Sequence, residues 1–160
     1  MSGRVRDWVS MNNRAVEYRL AGRPRLAFAW WTRAASAGDG HAWLEIGYAL
    51  QHGIGIRRNA MRAARAYRRA MRSYYISACD QEEARYHLAT LLVERSTSRS
   101  RAEASRLLAE ASADRDYPQA SRLLSALATD PATPVCHCRR YLRRPPRWTY
   151  CRLHKRPAGR

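Results

Sequence analysis

The chain has 160 residues, 30 basic and 13 acidic, for a formal charge of +17 at pH 7. That length suits one domain, which buries roughly 70 % of its unfolded surface and needs no staple to fold. The charge disfavours a basic partner and favours an anionic one: nucleic acid, an acidic protein or an anionic surface. Lys155 is the sole lysine and alanine is abundant, a pairing that a GC-rich, bacterial codon set also produces. No run approaches the ~18 consecutive apolar residues of a membrane span. The opening MSGRVRDWVSMNNR lacks the apolar core of a secretion signal. A cytoplasmic protein is expected, and in a reducing compartment clustered cysteine reads first as a metal site.

Residues 4 to 21 place Val5, Val9, Val16 and Leu20 near one stripe with Trp8 and Ala15 beside it, which predicts a first helix closed by Gly22. Pro24 can open the second, which carries Phe28, Trp30 and Trp31 and runs to about Gly38. From His41 to about Gln51 an apolar stripe of Ala42, Ile46, Ala49 and Leu50 predicts a third, with Gly47 permitting close helix approach. Gly53-Ile54-Gly55-Ile56 is a turn. Asn59 can cap a fourth helix through Arg72, with Met61, Ala64 and Met71 inward and Tyr67 near them.

Residues 74 to 79 read as a connection holding Cys79 as a small buried or semi-buried side chain rather than a ligand. Asp80 with Glu83, and Ser100 with Glu103, have capping-box spacing. They predict two further helices, bearing Ala84, Leu88, Leu91 and Leu92, then Ala104, Leu107, Leu108 and Ala111. Asp116, Pro118 and Gln119 introduce a last short one with Ala120, Leu123, Leu124 and Leu127. About seven helices and an all-α domain over residues 1–130 are expected. Pro131 to Pro134 break the pattern before a basic tail over 131–160.

Ala27 to Ala64 spans 37 positions, a repeat period. A two-helix unit at such an interval buries its apolar face by stacking on its neighbours. Ala42 with Ile46 and Gly47, the Gly53-x-Gly55-Ile56 turn, and Ala64, Tyr67 and Ala70 together resemble the Sel1-like repeat, a relative of the tetratricopeptide repeat. The resemblance covers roughly residues 24 to 128. In its second unit Ser96-Thr97-Ser98 replaces the glycine turn and Leu107 the aromatic. It implies a right-handed α-solenoid of antiparallel helix pairs and a non-catalytic adaptor that holds a partner protein.

Arg58, Arg62, Arg65, Arg69 and Arg72 follow intervals of four, three, four and three, one continuous helix face with no acidic residue interleaved. Like charges at these spacings repel, so the stripe opposes its own helix unless compensated. Its planar guanidinium forks suit carboxylate or phosphate. A solvated outer face written in a GC-rich codon set would look the same.

Cys136-x-Cys138, twelve residues, then Cys151-x-x-His154 is a donor set for a tetrahedral structural zinc site, with His137 as an alternative ligand. A disulfide or a basic tail without metal are the other readings. Closed zinc would order Arg139, Arg140, Arg143, Arg144, Arg147 and Arg152 around Tyr141, Trp148 and Tyr150. Such interleaving suits nucleic acid or docking on the helices.

Glu82-Glu83, Asp114 and Asp116 read as helix-start carboxylates, and His41, His52 and His87 look scattered, so no catalytic set converges. The expected protein is a non-enzymatic binding module for an acidic protein. The alternative is an RNA- or DNA-binding protein. Neither a membrane nor a small-molecule substrate is expected.

Overall fold

The computed structural model describes residues 3–95, 97–113 and 117–129. Among them are seven helices and no strand: α1 (Gly3–Leu20), α2 (Pro24–Ser36), α3 (Gly40–His52), α4 (Ala60–Arg72), α5 (Ala78–Glu94), α6 (Ser98–Ser112) and α7 (Pro118–Thr129). None is long and apolar enough to cross a membrane.

Local chemistry sets the boundaries. Gly22 closes α1 at φ 71°, which lets the Arg23 N–H donate to the Tyr18 carbonyl at 2.8 Å and its own N–H donate to that of Arg19. Pro24 then starts α2, where a missing N–H is harmless. Asn59 caps α4, its Oδ1 accepting the Arg62 N–H at 2.9 Å.

Two starts differ from expectation. Ser77, not Asp80, caps α5 by accepting the Asp80 N–H at 3.0 Å, so Ala78 and Cys79 belong to the helix and Cys79 is exposed. Thr97 with Ser100, not Ser100 with Glu103, forms the capping box of α6.

Each helix packs on its neighbours in the chain, most extensively in the pairs α1–α2, α3–α4 and α5–α6, and α3 also touches α5. The buried positions recur. Ala27, Trp31 and Ala34 on α2, Ala63, Tyr67 and Ala70 on α4, and Ala104, Leu108 and Ala111 on α6 each bracket one large side chain with alanines. All nine are at most 3 % exposed. The first two sets lie 36 positions apart, so the residue matching Ala27 is Ala63 rather than Ala64.

Ala42, Ile46, Ala49 and Leu50 of α3 are likewise matched 42 positions on by Ala84, Leu88, Leu91 and Leu92 of α5, all buried. Two other faces are rotated from the predicted ones. α1 turns Trp8, Met11, Ala15 and Tyr18 to the core and leaves Val9 and Leu20 exposed. α4 turns Met61 outward, at 67 % exposure.

Candidate partner-binding surface

α4 carries the arginine stripe and is seated by its opposite face. A Cβ at Gly47 would lie 2.5 Å from Cε1 of Tyr67, so the absence of a side chain on α3 is what admits the ring. The Tyr67 hydroxyl donates to Gln51 Oε1 at 2.6 Å, and Gln51 Nε2 donates to Thr90 Oγ1 on α5 at 3.2 Å. His87 stacks on Tyr67 with centroids 5.6 Å apart. A buried hydroxyl and amide need such partners, because an unmet polar group there costs about 1–3 kcal/mol. The network therefore fixes the rotation of α4 and, with it, which side chains face out.

Arg62, Arg65, Arg69 and Arg72 are exposed along the outer side of α4, whereas Arg58, also exposed, precedes the Asn59 cap and so stands in the loop rather than on the helix face expected for it. They are not equivalent. Arg58 pairs with Glu94 of α5 at 3.2 Å, and Arg69 lies over the Trp43 ring with its guanidinium carbon 4.7 Å from the centroid. Among the described residues no acidic side chain pairs with Arg62, Arg65 or Arg72. Arg69 and Arg72 sit in the last turn, where the helix dipole favours cations and offsets part of the repulsion along the stripe.

Two members of this surface were missed from the sequence. Arg68, on the flank of α4, reaches Glu103 of α6 at 2.9 Å. Met61 stands on the exposed side amid the arginines, so the surface holds an apolar side chain as well as charge.

A second charged group anchors the turn before α3. Asp39 is 1 % exposed, and its Oδ1 accepts the His41 N–H at 2.9 Å. His41 Nδ1 lies 3.2 Å from Asp80 Oδ1 and its Nε2 lies 3.8 Å from Glu45 Oε1, which Arg19 of α1 also reaches at 3.2 Å. The hydrogen bond to Asp80 raises the His41 pKa above its ordinary value, and the charges of Glu45, Asp80 and Asp39 add to that against the opposing effect of burial. Burial raises the Asp39 pKa, while His41 and the backbone N–H groups pull it back. The histidines are thus not scattered: His41 joins these carboxylates, and His52 and His87 both pack on Tyr48.

Cys136, Cys138, His137, Cys151 and His154, with Arg139, Arg140, Arg143, Arg144, Arg147, Trp148 and Arg152, lie outside the described residues. Among the described residues no group of three or more His, Cys, Asp or Glu side chains is arranged to hold a metal. No protein-family model matches the chain, and no curated protein matches it.

Proposed function

We propose that this chain is a non-catalytic binding protein whose helix pairs stack as a Sel1-like α-solenoid and hold an acidic partner protein on the outer face of α4. The observation that carries the reading is the set Arg62, Arg65 and Arg72, exposed and without acidic partners among the described residues, around an exposed Met61. Solvated helix faces ordinarily mix charge signs, and an exposed methionine amid arginines suits a protein surface better than a phosphate backbone. The recurring Ala-x-x-x-large-x-x-Ala positions of α2, α4 and α6 support the stacked-repeat reading. For the tail we propose structural zinc on Cys136, Cys138, Cys151 and His154, from the sequence alone. Metal analysis of the wild type and Cys151→Ser tests it, and zinc in neither removes the site.

The partner reading is tested by capture from a nuclease-treated bacterial lysate with the wild type and with Arg62→Glu/Arg65→Glu/Arg72→Glu. An acidic protein retained by the first and lost by the second is expected. Capture that vanishes with nuclease treatment refutes it.

One observation favours a nucleic-acid reading. Tyr74, 90 % exposed, follows close on Arg72 and offers a ring for base stacking beside a phosphate-binding guanidinium. Under that reading log affinity for a single-stranded oligonucleotide falls steeply and linearly with log salt; a flat dependence excludes it.

A further inference from the structure

Between the first turn of α2 and the loop leading to α4 lies an open groove of about 610 Å³, lined by Arg23, Pro24, Arg25, Leu26, Ile56 and Arg57 together with Gly53 and Gly55. Its two walls are in backbone contact, since a Cβ at Gly55 would lie 2.5 Å from the Pro24 carbonyl carbon. The groove is therefore a fixed concavity of the fold. Arg23, Arg25 and Arg57 are all exposed, and among the described residues none is paired with an acidic side chain. Leu26 is 43 % exposed, and Ile56 is partly buried against the core.

We propose that this groove binds a short acidic peptide segment of a partner protein, its carboxylates on the three guanidiniums and one apolar side chain on Leu26 and Ile56. This rests on the reading that the partner is an acidic protein, and it adds a second contact separate from the α4 face.

The chemistry narrows the occupant. Guanidinium forks match carboxylates two N–H groups at a time, and three of them around one concavity need more than one negative charge. No described aromatic side chain lines the groove, so it lacks the stacking surface that single-stranded nucleic acid uses. The chain's own tail is excluded by sign, because residues 131–160 hold nine basic residues and no acidic one. A second copy of a chain carrying +17 is repelled for the same reason.

The test is fluorescence polarisation on the full chain. The probes are a fluorescein-labelled peptide of alternating Glu and Leu, the same peptide with Ser for Leu, and a labelled oligo-dT of equal charge. Arg23→Ala, Arg25→Ala and Arg57→Ala are each expected to weaken the Glu-Leu peptide about tenfold, as loss of a charge-assisted pair does. Leu26→Ser and the Glu-Ser peptide should each show a loss of about fivefold, and Arg122→Ala, exposed on α7 away from both surfaces, less than about twofold. All these positions are exposed, and unchanged helical circular dichroism verifies the fold.

Groove variants that bind the Glu-Leu peptide as the wild type does overturn the proposal. So does an oligo-dT that binds the groove more tightly than the peptide. Peptide binding lost in Arg62→Glu/Arg65→Glu but kept in the groove variants removes the groove and leaves the acidic-partner reading standing. Groove-dependent peptide binding together with nuclease-sensitive capture does the reverse.

Discussion

Gly47 and Tyr67 occupy each other's space: the ring of Tyr67 on α4 fills the volume that any side chain at position 47 of α3 would need, at 2.5 Å from the Cβ position. Gly47→Ala must push α4 outward or turn the ring from its hydrogen bond with Gln51. Overpacking of this kind costs about 1–3 kcal/mol. Urea unfolding should show a lower midpoint with an unchanged slope. Tyr67→Phe keeps the packing and loses only the 2.6 Å bond to Gln51, so its cost should stay near 1–2 kcal/mol.

Gly55 combines a left-handed backbone, φ 71°, with the close approach to Pro24. Gly55→Ala meets both obstacles. We expect a loss of about 2–4 kcal/mol, from strain of roughly 1 kcal/mol plus displacement of the loop from α2. Differential scanning calorimetry checks it; a melting temperature equal to the wild type would show that the loop relaxes freely.

Within the arginine stripe, charge reversal at Arg62, Arg65 and Arg72 should remove partner capture with stability within about 0.5 kcal/mol of the wild type, since all three are exposed and unpaired among the described residues. Arg58→Glu sets a negative charge opposite Glu94, and Arg69→Glu loses the contact with Trp43. Both should lower stability as well as binding. Parallel thermal melts and pull-downs separate the two groups.

Stability should rise as the pH is lowered from about 8 to about 6. His41 has a folded pKa above 6.5, so its contribution is full below 6.5 and is lost as the pH climbs through the folded value. Asp39 acts in the same direction at lower pH: its folded pKa exceeds 3.8, and protonation relieves the burial of its charge. His41→Gln should flatten the dependence between about pH 6 and 8, and Asp80→Asn, which removes the main cause of the His41 shift, should reduce it. Chemical denaturation at a series of pH values measures this. An unchanged slope in His41→Gln would assign the dependence to another group.

Helix number and most helix ends were legible because their signals are local: Gly22, Pro24, Gly53 and Asn59 each act within one turn of chain. The starts of α5 and α6 were misplaced where two cap formers stand three residues apart, Ser77 before Asp80 and Thr97 before Ser100. The first of each pair adopts the extended backbone of a cap while the second is already helical, a choice that sequence spacing leaves open.

The rotation of α4 was ambiguous for a related reason. Ala60, Ala63, Ala64, Ala66 and Ala70 place small side chains around much of the helix, so apolar spacing did not identify the buried face; the seat of Tyr67 under α3 did. Of the candidate surface, the stripe itself was readable from intervals of three and four. The partners Glu94, Glu103 and Trp43 lie on other helices and carry no local signal, and the same holds for the meeting of His41 with Asp80.

The segment between α4 and α5 is fastened to the turn between α2 and α3. The Gly40 N–H donates to the Tyr75 carbonyl at 2.8 Å, Asp39 and Tyr75 form a parallel backbone bridge, and the Ser73 hydroxyl donates to the Gly38 carbonyl at 3.2 Å. An inserted residue between Ser73 and Ile76 would carry the Tyr75 carbonyl about 3.3 Å from the Gly40 amide and unbutton the strip. The strip from Ser73 to Ile76 is thus a segment of fixed length, stitched to the turn from Gly38 to Gly40.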